Sequence, residues 1–175
     1  MHCWKSIHVF KHDGFYRMLF FSFLTMLFSF ILLYSVTHVL VDGARPNEQY
    51  FSLFLLSLFI LYPVHKLLHL LSFKLSGVKC RLVMKSKGKI KCQLSDPVAK
   101  VSYIGALLFP FVFITLAGFI LIICFPAYFH YIVLFLALHT GLCVEDFIYL
   151  KNIMNTPKSC FIEETKDGIE ILILK

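Results

Sequence analysis

The chain is patterned as long apolar runs separated by short polar ones. Four runs, at about 18–41, 50–73, 101–124 and 128–150, are rich in Leu, Phe, Ile and Val and carry few charged residues. Each exceeds the roughly 20 residues that an α-helix needs to cross the hydrocarbon core of a bilayer. In lipid, a backbone of this kind satisfies its own polar groups only as a helix or a closed barrel. Unbroken runs of this length favour the helix, and the pattern predicts an α-helical membrane protein with four transmembrane helices, a single membrane domain over residues 1–175. The first run is not expected to be a cleaved signal, because it is long, begins late and is followed by no small-residue cleavage site.

Between the second and third runs, and again after the fourth, the period changes to two. Val78, Cys80, Leu82 and Met84 alternate with Lys79, Arg81 and Lys85, and after Ser86-Lys87-Gly88 the alternation resumes with Ile90, Cys92 and Leu94 against Lys89, Lys91 and Gln93. Alternation on both sides of a Gly-containing turn predicts a β-hairpin over about 78–94, one face apolar and the other cationic. The tail repeats the device over about 160–174, where Cys160 to Glu164 and Ile169 to Leu174 flank Asp167-Gly168. Isolated hairpins are marginal, so the two are expected to pair into one small sheet. Pro63 and Pro110 fall inside the second and third runs. Each removes a helical hydrogen bond, either as a packing kink or as an opening for water near His65.

Composition adds weight and charge adds direction. The chain is 59% hydrophobic and 15% charged, with a mean hydropathy of +0.80. A soluble domain of this length cannot bury that much apolar surface. Lys5, Lys11 and Arg17 precede the first run, and eight Lys or Arg lie between Lys74 and Lys100 against the single Asp96. The tail adds Lys151, Lys158, Lys166 and Lys175, while the two remaining connections hold only Arg45. The positive-inside rule then places both termini, the long middle loop and the small hairpins in the cytoplasm. The net charge of +7 also suits anionic lipid headgroups as a partner. A nucleic-acid partner is not expected, since the basic residues hug the membrane and form no recognition motif. Six cysteines without a C-x-x-C predict no disulfide framework.

Candidate chemistry concentrates in two runs. The second contains Tyr62-Pro63-Val64-His65-Lys66-Leu67-Leu68-His69-Leu70. Histidines at i and i+4 stack on one helix face and can offer two imidazoles to one metal ion. The fourth run carries His139, Glu145 and Asp146. His69 and Asp146 each lie about four residues, or roughly 6 Å, before the expected inner end of their helix, so they sit at similar depth. His65, His69 and Asp146 would form a His₂-Asp tripod, a donor set that zinc accepts while keeping a fourth position for water. The spacing is that of H-E-x-x-H, with Lys66 at the position of the catalytic Glu. A protonated lysine cannot serve as general base. Either Lys66 is neutral through burial or Glu145 supplies the carboxylate.

Other readings of these residues stand beside that one. His65 and His69 can be interhelical hydrogen-bonding groups without a metal. Lys66 can snorkel to the interface, or pair with Asp146 or Glu145 to hold two helices together. A haem bundle would set His65 or His69 opposite His139. His38 and His130, near the outer helix ends, are expected to lie at the interface without a catalytic part.

The Pro63-Val64-His65-Lys66-Leu67-Leu68-His69 segment, the proline-interrupted third helix around Pro110, the Gly141 to Asp146 region, Pro157 and the Asp167-Gly168 hairpin together resemble the zincin peptidase family of small bacterial membrane proteins. That family is related in plan to site-2-type intramembrane metalloproteases. The resemblance covers roughly residues 50–172. It implies a multi-pass protein of the bacterial inner membrane with zinc on His65, His69 and Asp146, acting as a zinc metallopeptidase on a membrane peptide or protein. This chain departs from the family pattern at Lys66, which implies impaired catalysis. The alternative is a non-catalytic accessory or regulatory protein that binds membrane peptides or a partner.

Overall fold

A computed structural model describes residues 2–7, 14–41, 46–85, 89–94, 96–157, 160–164 and 168–173. Strand β1 (His2–Ile7) precedes the long helices α1 (Gly14–Leu40) and α2 (Phe51–Leu75). Strands β2 (Cys80–Lys85), β3 (Lys89–Leu94) and β4 (Val98–Ala99) lead into α3 (Lys100–Cys124). A 3₁₀ turn at Pro126–Tyr128 opens α4 (Phe129–Leu142), and α5 (Val144–Met154), β5 (Cys160–Glu164) and β6 (Ile169–Ile173) follow. Pro63 and Pro110 both lie inside continuous helices, α2 and α3.

Helices α1, α2 and α3 are each long and apolar enough to cross a membrane, and α4 with α5 makes a fourth if the pair is one broken span. The fourth run, expected as one helix over 128–150, thus divides at Cys143, where the two pieces bend by 45°. The cause is local. The Cys143 N–H is shared between the carbonyls of Gly141 and His139, which tightens the last turn of α4. Restarting at Val144 puts Glu145 and Asp146 in the first turn of α5, where the positive end of the helix dipole favours acidic side chains.

Both predicted hairpins form. Strands β2 and β3 pair antiparallel from Cys80 with Leu94 to Lys85 with Lys89, and β5 pairs with β6 from Cys160 with Ile173 to Glu164 with Ile169. Their turns, Ser86 to Gly88 and Thr165 to Asp167, lie outside the described residues, as do the facing of the side chains between Arg81 and Gln93, and Lys11, Arg45, Lys158, Lys166 and Lys175. The two hairpins do not join one sheet as expected. The C-terminal hairpin sits in a four-stranded sheet of order β1-β6-β5-β4, and β2-β3 forms a ladder of its own. The N-terminal strand β1 is the reason on one side, since it takes the free edge of β6, and β4 takes part of the edge of β5. The short β1, with an irregularity between Cys3 and Lys5, carried no readable alternation.

The chain divides into two compact units. The first comprises Met1–Arg17, Pro63–Pro110 and Glu145–Lys175, and the second Met18–Tyr62 and Phe111–Val144. The crossings fall at Pro63, at Pro110 and beside the Cys143 break. In the first unit the inner face of the sheet, with Ile162, Ile169 and Ile171, packs on Phe73 of α2, Tyr103, Ala106 and Leu107 of α3 and Ile153 of α5. Helix α2 ends there in a Schellman turn. Gly77 adopts φ 73°, its N–H bonds to Lys74 O, and the Val78 N–H reaches back to Phe73 O. In the second unit helices meet at small residues: a Cβ on Gly141 would stand 3.1 Å from Met26 Cβ and from the Ser22 carbonyl oxygen.

Candidate metal centre

The site is built in the first unit, from one turn of α2 and the first turn of α5. Its three side chains are buried in spite of their polarity: His65 is 2% exposed, His69 6% and Asp146 6%. Burying two imidazoles and a carboxylate is costly unless each finds a partner of opposite or complementary character. The i, i+4 spacing brings the rings edge to face, with centroids 4.7 Å apart and planes at 88°. Their Nε2 atoms converge to 3.1 Å. Asp146 Oδ2 stands 3.2 Å from His65 Nε2 and 3.4 Å from His69 Nε2.

The tautomer of His69 follows from its other nitrogen. Nδ1 lies 2.8 Å from the Ala106 carbonyl oxygen on α3. A carbonyl can only accept, so Nδ1 carries the proton and donates it. In the neutral ring Nε2 then presents a bare lone pair to the cluster. An imidazole oriented by a backbone carbonyl on its far side is the usual support of a histidine ligand.

A metal fits this arrangement on two observations. Asp146 Oδ2 is buried between two imidazole nitrogens at 3.2 and 3.4 Å, and no other polar partner reaches it among the described residues. The three donor atoms also form a triangle of 3.1, 3.2 and 3.4 Å. A tetrahedral zinc with arms near 2.0 Å requires ligand atoms about 3.3 Å apart. The triangle is one face of that tetrahedron, and a fourth position remains for a further ligand.

Of the other residues singled out in the sequence, Lys66 and Glu145 are half-buried, and the converging His65-His69-Asp146 group does not include Glu145. His139 and Cys143 are buried in the second unit, with Sγ 3.5 Å from Nε2. His38 and His130 belong to its aromatic cluster, His130 with its ring centroid 4.0 Å from that of Tyr131 and His38 at 6.1 Å from Tyr34. The sequence reading missed the Ala106 carbonyl, because a backbone acceptor leaves no residue-type signal. It also missed the Tyr103 hydroxyl, which donates to Glu164 Oε1 at 3.4 Å, and Lys100, whose Nζ donates to Met154 O at 3.2 Å and Thr156 O at 2.7 Å. A lysine at the mouth of an apolar run was the available signal for Lys100, and the positive-inside pattern absorbed it.

Helices long and apolar enough to span a bilayer thus carry a buried His-His-Asp group that could hold a metal ion. Residues 58–161, more than half of the chain, match the model of the family described as "putative zincin peptidase". The chain belongs to that family. The matched segment includes all three residues of the cluster together with Lys66. No curated protein and no solved structure matches the chain.

Proposed function

We propose that this chain is a membrane-embedded zincin whose His65, His69 and Asp146 hold zinc, and whose peptide hydrolysis is impaired because Lys66 stands where a general base is needed. The observation that carries the reading is the donor triangle, with edges of 3.1 to 3.4 Å and at one corner a buried carboxylate oxygen whose polar neighbours among the described residues are the two imidazoles. Family membership supports zinc as the metal. When bound, zinc supplies Lewis acidity toward a peptide carbonyl or water. The chain's own residues set the rest. Ala106 O holds His69 in the tautomer that leaves Nε2 free to ligate. Asp146 brings the negative charge that offsets part of a dication. Lys66, beside His65 on α2, is a donor when protonated and takes no proton from water. Converging nitrogens 3.1 Å apart suit an ion and leave no space between them for a porphyrin.

The charge pattern supports a multi-pass arrangement in a bacterial plasma membrane, with both termini and the strands on the cytoplasmic side among anionic headgroups. The candidate substrate is an extended membrane peptide, which the β2-β3 ladder can present by strand addition. Lys66 itself favours a second reading, a non-catalytic accessory or regulatory protein that keeps the metal scaffold to bind membrane peptides or a partner. Metal analysis of detergent-purified protein tests the site: about one equivalent of zinc is expected for wild type and loss of it for His69→Ala. Wild type purified without chelator and carrying no zinc defeats the proposal. Lys66→Glu separates the two readings, since gain of cleavage of a membrane-peptide reporter is the outcome for an impaired peptidase and continued silence the outcome for an accessory protein.

A further inference from the structure

Helix α5 has an orientation problem. It starts at the Cys143 break, two residues before Asp146, so its covalent link to α4 does not by itself aim the carboxylate. With eleven residues it is also too short to be stiffly placed by propensity alone. Its far end, by contrast, is closed by a dense set of polar bonds. The Ile153 carbonyl accepts from both the Thr156 N–H at 3.1 Å and the Thr156 hydroxyl at 2.7 Å. The carbonyl of Met154, the last residue of α5, and that of Thr156 just beyond the helix accept from Lys100 Nζ. Thr156 Oγ1 also lies 3.3 Å from Cys160 Sγ, where β5 begins. An ammonium at the carbonyl end of a helix is favoured by the helix dipole and by the unpaired oxygens there.

Lys100 is the first residue of α3, and Ala106 of the same helix holds His69. One rigid element therefore touches both halves of the tripod: the α2 half through the Ala106 carbonyl, and the α5 half through the Lys100 ammonium. We infer that Lys100 is a positioning residue for the metal centre, fixing the axis of α5 so that Asp146 Oδ2 reaches the two imidazoles. This rests on the zinc reading given above.

The test compares detergent-purified wild type with Lys100→Met, Lys100→Arg and a core control, Ile171→Val, in the sheet of the same unit. Zinc affinity is read by chelator competition, site geometry by the visible ligand-field bands of the cobalt-loaded protein, and α5 mobility by amide hydrogen exchange without metal. Lys100→Met should weaken zinc binding by about tenfold, the low end for loss of an outer-shell partner. It should also alter the cobalt bands and speed exchange in α5 more than in α3. Lys100→Arg, which keeps donors and charge, should restore both. Ile171→Val should lower thermal stability while leaving affinity and bands unchanged. Wild-type affinity and bands in Lys100→Met, or an equal loss of affinity in Ile171→Val, overturn the inference. If wild type itself binds no zinc, the metal reading is what fails. The exchange data then decide on the lysine: selective loosening of α5 in Lys100→Met upholds the clamp, and unchanged exchange removes it.

Discussion

Among the described residues, the unit that carries the tripod buries the polar side chains of His65, His69, Ser72, Asp146 and Thr156, whereas the other unit buries Thr37 and His139 among Ile114, Ile122, Phe129, Val133, Leu136 and Ala137. The two units also divide the charge. Of the 17 Lys and Arg, all but Arg45 fall in the segments of the first unit, and of the acids Asp42 and Glu48 alone fall in the second. Their cohesion differs accordingly. The second unit is held as membrane helices commonly are, by close approach at Gly118 and Gly141 and by aromatic contacts such as Phe54 on Tyr131 at 5.0 Å. Its buried Thr37 hydroxyl is satisfied within its own helix, by the Leu33 carbonyl at 2.6 Å. The first unit is held by a sheet-covered apolar core and by polar bonds of defined direction, among them His69 to Ala106 and Lys100 to the end of α5. Directed polar bonds fix orientation as well as distance, so the first unit is the one suited to the proposed metal site.

The contrast is broken most severely by removing a donor atom. Asp146→Ala should weaken zinc binding by more than the roughly 10–100-fold that loss of an outer partner causes, with the helical content of the protein unchanged by circular dichroism. Retention of zinc at wild-type affinity would mean that the carboxylate is not a ligand. Next in size is the core of the first unit. Ile162 is fully buried on β5, and Ile162→Ala should cost about 2–5 kcal/mol in denaturant unfolding, while the protein that remains folded keeps its zinc affinity, because the lost methyl groups remove neither a donor atom nor a polar bond that aims one. The smallest expected effect sharpens the comparison from the other side. Gly141→Ala adds a methyl against Met26 Cβ and the Ser22 backbone oxygen, both at 3.1 Å, and should cost about 1–3 kcal/mol of stability while zinc stoichiometry stays at the wild-type value. Zinc loss in Gly141→Ala without global unfolding would show that the two units are not energetically distinct.

Much of this was readable along the chain. Runs of twenty and more apolar residues leave a backbone few choices in lipid, so α1, α2 and α3 were legible to within a few residues at either end. The i, i+4 placement of His65 and His69 is a property of any helix, and the stacking of their rings followed from it. Period two around a turn likewise announced both hairpins. Less was readable where the answer depended on a competitor elsewhere in the chain. The hairpins looked like each other's natural partners, yet β1 and β4 took the edges of the C-terminal one. The fourth run looked continuous, and its break at Cys143 reflects a balance of backbone bonding and first-turn acids that apolar periodicity does not register.

Pattern alone therefore specified the helices, the hairpins and a pair of imidazoles, since each is governed by neighbours a few residues away. Folding in three dimensions decided the rest: the approach of the Asp146 carboxylate to within 3.4 Å of both imidazoles, the carbonyl of Ala106 behind His69, and the ammonium of Lys100 on the end of α5. These contacts join residues 37 to 81 positions apart in the chain. Their geometry depends on where one helix stops and how a sheet covers three others, which no local spacing encodes.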